Sequence, residues 1–143
     1  LVGHWDLSKM FTDNPVDLNR DVIYNQNLLS ETDCFKTMSI TFNSDYKFSS
    51  VNARMDFKAG EADDEFFCMG NRTDTGTWSV EGDVLILKVD IDGTIYQDRK
   101  QIVLDGNTFS FKVTELESQK YVADPGDTSV SKVTVVSLEY TKK

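Results

Sequence analysis

The chain has 143 residues, 39% of them hydrophobic and 27% charged, with nine Phe, five Tyr and two Trp, too apolar and aromatic for a disordered chain and enough to bury one core. Its formal net charge of -9 repels phosphate backbones and anionic membranes, so nucleic acid is not an expected partner. Two cysteines without Cys-x-x-Cys spacing and a single histidine are too few ligands for a zinc or redox centre, which leaves a disulfide or two free thiols.

One domain over residues 1–143 is expected. Residues 1–11 are apolar and aromatic and stop before Thr12-Asp13-Asn14-Pro15, which predicts a first strand closed by a turn. Nothing resembles a signal peptide or a transmembrane run, and the sequence opens directly on this strand, as a trimmed mature domain would. Gly3 lets another backbone approach closely. His4 stands beside a core tryptophan, Trp5, without a catalytic triad signature, and reads as structural.

Residues 16–33 lack strand alternation and read as an irregular insertion with one helical turn around Asn27-Leu28-Leu29. Asp17, Asn19 and Asp21 recur at the spacing with which calcium loops place ligands one, three and five, and the Ile23 carbonyl falls at position seven. Val22 occupies position six, where the sharp turn wants glycine, and Leu28 occupies position twelve. A Ca2+ site in the loop 17–31 would therefore rely on Glu31 folding back; the plain alternative is a solvated acidic loop.

From 36 to 43, Met38, Ile40 and Phe42 alternate with polar residues, which predicts a second strand, and a third over 46–57 makes a hairpin with it across Asn43-Ser44-Asp45. Residues 58–74 read as a polar excursion carrying Glu61, Asp63, Asp64 and Glu65, more a repelling loop than a cation site. Asn71-Arg72-Thr73 matches the N-glycosylation sequon, which matters only in a eukaryotic secretory route. A hairpin follows over 75–80 and 84–91, turning at Glu81-Gly82-Asp83, with Gly76 two residues before Trp78. Further strands over 94–104 and 108–116 are separated by Asp92-Gly93 and Asp105-Gly106-Asn107, residues 121–129 read as a loop, and 132–141 as a last β-branched strand.

The count is eight strands with tight connections and no helix long enough for a βαβ crossover. The fold class is all-β, an eight-stranded antiparallel up-and-down barrel whose interior is either filled or able to hold one small ligand. An odd or open sandwich is the alternative.

Gly3-His4-Trp5, Asp33-Cys34, Thr41-Phe42-Asn43-Ser44-Asp45, Cys68 ahead of Gly76-Thr77-Trp78, and the turn Glu81-Gly82-Asp83 occur in an order that resembles the bacterial lipocalin-like domains, over nearly the whole chain. These are small exported proteins, often lipoproteins. The resemblance implies a lipocalin-like, calycin-type barrel located in the periplasm or on the outer membrane as a lipoprotein, with a lipid anchor upstream of Leu1. It also implies a Cys34–Cys68 disulfide, which would close a loop of about 34 residues and contribute roughly 4 kcal/mol in the chain-entropy model. In lipocalins the Gly-x-Trp tryptophan crosses the closed end of the barrel, a role carried here onto Gly3 and Trp5. An arginine near the last strand normally packs on that tryptophan, and no arginine follows Arg99, so Lys132 or Lys142 would have to substitute. The segment 17–34 resembles an Asp-x-Asn-x-Asp-Gly insertion seen in some of these domains, from which Val22 departs.

The first functional expectation is a monomeric binding module that takes a small hydrophobic molecule, with Tyr46, Phe48, Phe57, Phe109 and Phe111 as pocket candidates. The second is a filled barrel acting as a structural or interaction module of the cell envelope through its loops. An enzyme is not expected, because no activated nucleophile is recognisable and the carboxylates cluster in loops.

Overall fold

The computed structural model describes residues 1–19, 21–57, 66–123 and 133–143. Its elements are β1 (Gly3–Val16), β2 (Asn25–Asn27), a 3-10 turn (Leu28–Ser30), β3 (Ser39–Phe42), β4 (Lys47–Phe57), β5 (Phe66–Glu81), β6 (Val84–Ile91), β7 (Thr94–Asp105), β8 (Thr108–Lys112), α1 (Glu115–Ser118), β9 (Val122–Ala123) and β10 (Val135–Lys142).

Eight strands form a closed ring, in the order β1, β3, β4, β5, β6, β7, β8, β10, with every neighbouring pair antiparallel. β10 returns to β1 with Trp5 opposite Lys142. This is the barrel that the alternation predicts. β2 prolongs the sheet beside the far end of β1, and the two-residue β9 adds in parallel to β4.

Trp5, Phe42 and Phe109 are almost fully buried at one end of the barrel. Phe109 meets Trp5 edge-on at 5.0 Å and stacks on Tyr140 at 5.2 Å, while Phe42 meets Trp78 at 5.2 Å. Edge and offset contacts of this kind add about 0.5–1.5 kcal/mol each to the area they bury. Both indoles spend their N–H on a carbonyl, Trp5 on Leu1 at 2.7 Å and Trp78 on Asn43 at 3.0 Å. The Lys142 ammonium lies 5.7 Å over the Trp5 ring and takes the place of the arginine. Gly3 is needed beneath it: its φ is +137°, and a Cβ there would fall 2.7 Å from the Lys142 stem.

The opposite end is only half closed. Leu28 of the insertion and Phe35 and Met38, between it and β3, are buried in the same core as Met10 and Met55, and the Leu7 N–H donates to the Met38 carbonyl at 3.0 Å. The chain leaving β8 then crosses to β4, passing through α1 and β9. Thr114 and Glu117 cap α1 reciprocally, Ser118 Oγ accepts from the Val135 N–H at 2.7 Å, and the Met55 N–H donates to the Tyr121 carbonyl at 2.8 Å. This strap separates a filled half beside β1, β3 and β10 from an open half walled by β4, β5, β6 and β7.

Several boundaries differ from the sequence reading. β1 runs through Thr12-Asp13-Asn14-Pro15, because Thr12 is buried and its hydroxyl donates to the Asn14 and Gln26 carbonyls, which holds the segment extended. Residues 66–74, assigned to the polar excursion, belong to β5 and pair with β4 across a bulge at Asn52/Arg54. The strand predicted over 108–116 stops at Lys112, where the Thr114 cap starts α1, and the loop predicted over 121–129 begins with β9. Glu61, Asp63, Asp64, Glu65, Asp124-Pro125-Gly126 and Lys132 lie outside the described residues.

Candidate functional site

The open half of the barrel is a cavity of about 1790 Å3 that reaches solvent, larger than the roughly 300–1,000 Å3 of common ligand pockets. Its floor is apolar, with Phe48, Leu85 and Phe111 at its base and Leu87 and Val89 on the β6 wall. Of the five aromatic candidates, Phe48 and Phe111 are on this surface.

Tyr46 and Phe109 are not. Tyr46 is 62% exposed at the opposite end, with φ +65°, its ring 5.4 Å from Trp78. There it edges a smaller hollow of about 570 Å3 with Leu1 and Leu104. Phe109 is consumed by the aromatic plug. Phe57 ends β4 opposite Phe66, and its side chain lies outside the described residues.

Polar residues that the sequence reading passed over line the cavity higher up. On the β4–β5 wall Asn52 Nδ2 donates to Ser50 Oγ at 3.1 Å and to Asp74 Oδ2 at 3.3 Å, and the same oxygen receives Arg72 Nε and Nη2 at 3.2 and 3.0 Å. Facing the strap, Lys100 Nζ is 2.6 Å from Glu117 Oε2, 3.3 Å from Asp98 Oδ2 and 4.7 Å over the Phe111 ring. Burial works to lower the Lys100 ammonium, but the bond to Glu117 and the charge of Asp98 outweigh it and hold the pKa above the ordinary lysine value. Burial likewise works to raise Glu117, and the bonds from Lys100 and Thr114 overcome it, so its pKa is lowered. The pair is therefore charged at neutral pH and fastens the strap to β7. Burial pushes the phenols of Tyr121 and Tyr140 up, and both stay protonated.

The acidic loop sits apart from this cavity, beside the far end of β1. Asp17 Oδ1 accepts from the Asp21 N–H at 3.2 Å and Oδ2 from the Val22 N–H at 3.0 Å, so the first carboxylate ties down positions five and six of the turn. Val22 takes the left-handed φ of +68° that the missing glycine would have adopted freely. Glu31 is 4% exposed; it folds back to accept from the Leu18 N–H at 2.8 Å and from Asn25 Nδ2 at 2.7 Å. One oxygen each of Asp17, Asp21 and Glu31 then falls within 4.8 Å of the others. Asn19 turns inward on the loop instead, its Oδ1 accepting from the Asp21 N–H at 3.3 Å.

His4 bridges Thr41 Oγ1 and Asp6 Oδ1, each at 2.8 Å. This resembles a relay of hydroxyl, imidazole and carboxylate, but the three residues lie on adjacent strands and line neither hollow. Cys34 and Cys68 form a disulfide, which ties the insertion to β5. No helix among the described residues is long and apolar enough to cross a membrane.

A family model described as a lipocalin-like domain matches residues 1–111. No curated protein and no solved structure matches the chain.

Proposed function

Because the chain belongs to the lipocalin-like domain family, we propose that it is an exported binding protein rather than an enzyme, and that it receives a small molecule with a hydrophobic part in the open half of its barrel. The observation that carries this reading is the cavity of about 1790 Å3 with Phe48, Leu85 and Phe111 as its floor. A filled barrel would act through its loops alone; the cavity favours the binding role. The disulfide fits an oxidising compartment, the periplasm or the outer surface of a cell, where a lipid-anchored form would also reside.

Titration with N-phenyl-1-naphthylamine tests the reading. Saturable, one-to-one fluorescence enhancement is expected. Leu87→Arg, which places a charge on the β6 wall, is expected to weaken it about tenfold or more while the thermal midpoint stays close to that of the parent. Absence of saturable binding by the parent protein would sink the proposal.

A second reading concerns the loop 17–31, which we propose as a Ca2+ site. What supports this is that Asp17 accepts from the Asp21 and Val22 N–H groups and that one oxygen each of Asp17, Asp21 and Glu31 lies within 4.8 Å of the others, oxygen donors of the kind calcium takes. Asn19 would have to turn from its bond to the Asp21 N–H to join them. An ion at a free concentration about a hundred times its Kd adds about 2.7 kcal/mol to stability, so calcium is expected to raise the melting temperature of the parent protein and not that of Asp21→Asn. An unchanged melting temperature in millimolar calcium would refute the site.

A further inference from the structure

We infer that the polar end of the ligand is uncharged and rich in hydroxyl groups, so that the barrel takes a neutral amphiphile of the glycoside class rather than a fatty acid. This rests on the reading of the barrel as a binding site.

The strand register sets the layering. Side chains two apart share a face, so β4 presents Phe48, Ser50 and Asn52 in sequence from the closed end outward. β5 presents Asp74 opposite Ser50 and Arg72 opposite Asn52. On β7 Lys100 stands opposite Leu85 and Asp98 opposite Leu87. The β4–β5 wall therefore passes from an apolar floor to a polar belt, β7 sets Lys100 and Asp98 beside the apolar Leu85 and Leu87 of β6, and a ligand that fills the cavity meets both kinds of surface. A hydrocarbon alone would displace water from the donor and acceptor sites that the belt does not use internally and return no bond, at a cost of about 1–3 kcal/mol for each site so stripped.

An anionic head is disfavoured because the cations of the belt are already occupied. Arg72 is spent on Asp74, and Lys100 is held between two carboxylates and the Phe111 ring. Nearer the mouth, Arg54 Nε lies 2.7 Å from Asp56. Counting Glu117, six carboxylates face four cations around the cavity, five acidic residues lining it directly. Lys120 is the one lining cation without a carboxylate partner among the described residues, but it is exposed, where a solvated ion pair is worth about 0–1 kcal/mol. A carboxylate entering there therefore gains little from it and meets a net negative field.

The belt is mixed in sign and in hydrogen-bonding sense. Asp74 and Asp98 accept, Asn52 does both, and Ser50 accepts from Asn52 while keeping its own proton to give. Asp74 Oδ2 takes three bonds, and a carboxylate has about four acceptor sites, so it can still take one from the ligand. An ammonium head only donates and a carboxylate only accepts. A hydroxyl does both, and neighbouring hydroxyls on a sugar ring match donors and acceptors that alternate along a wall.

Calorimetric titration of the full chain with octyl glucoside, octanoate and octylammonium, each below its micelle concentration, separates the classes on one tail. Octyl glucoside is expected to bind about tenfold more tightly than either ion, and Asn52→Leu and the more exposed Arg72→Leu are each expected to erase most of that preference. Equal or tighter binding of octanoate or of the ammonium overturns the inference, as does a preference that both variants retain. If N-phenyl-1-naphthylamine binds and the glucoside does not, the inference fails and the binding role stands. If neither the dye nor any octyl probe binds, the binding role has failed as well.

Discussion

Gly76→Ala is expected to cost about 4 kcal/mol or more, or to prevent folding, the range reserved for substitutions that force a packed backbone apart. A Cβ at Gly76 would collide with the Lys88 carbonyl oxygen on the adjacent strand β6, and would fall 2.9 Å from that carbonyl's carbon and 3.1 Å from the Phe48 ring. The carbonyl cannot rotate aside, because β5 and β6 are held in register from Gly76 opposite Val89 to Glu81 opposite Val84. Gly70→Ala on the same strand is the control: beyond its own chain neighbours no atom lies within 4 Å of where its Cβ would stand, and a change within about 0.5 kcal/mol is expected. Urea unfolding followed by tryptophan fluorescence measures both. A Gly76→Ala protein as stable as its Gly70→Ala counterpart would mean that the β5–β6 register is wrong.

Opening the disulfide, by reduction or by the double change Cys34→Ser with Cys68→Ser, is expected to cost about 4 kcal/mol. The two residues are 34 positions apart, and the cross-link removes the corresponding loop-closure freedom from the unfolded chain. Against a total stability of about 5–15 kcal/mol, the loss is large. It falls on the half of the barrel filled by the insertion, where Phe35 and Leu28 are wholly buried without belonging to a barrel strand. Denaturant midpoints with and without reductant decide the matter: a shift of less than about 1 kcal/mol would show that packing alone holds the insertion in place.

The barrel was legible because its strands alternate and its turns carry Gly, Asn and Asp. The outer part of β5 was not, since Phe66-Phe67-Cys68-Met69 is continuous and the following residues are exposed; the long partner strand β4 imposes the extended conformation there. The start of α1 carried a readable signal, the Thr114-x-x-Glu117 capping box, but the alternation of Phe109, Phe111 and Val113 ran up to it and masked it. The alternate-residue spacing of Asp17, Asn19 and Asp21 was readable, but not that Glu31 is buried and folds back beside Asp17 and Asp21 while Asn19 stays on the Asp21 N–H, because spacing along a loop does not say which side chains the fold turns inward.

The cavity lining was harder for a physical reason. Period two assigns a residue to a face and says nothing of its height along the barrel, so Phe109 and Phe111, on one face, end in the plug and in the cavity floor respectively. In a hollow barrel the inner face is wet near the mouth. Asn52, Asp74 and Lys100 therefore carry the same signature in sequence as residues on the outside.

The pairing of β1 with β10 also fixes how the molecule would present itself to a surface. Leu1 is held at the closed end by the Trp5 N–H, and the Lys143 N–H donates to the His4 carbonyl at 2.9 Å, so both ends of the described chain leave from the same pole. The mouth lies at the other pole, where β5 begins and β6 turns into β7. A tether attached ahead of Leu1 would thus aim the opening away from whatever it is anchored to, leaving the barrel oriented to collect its ligand from the solvent side.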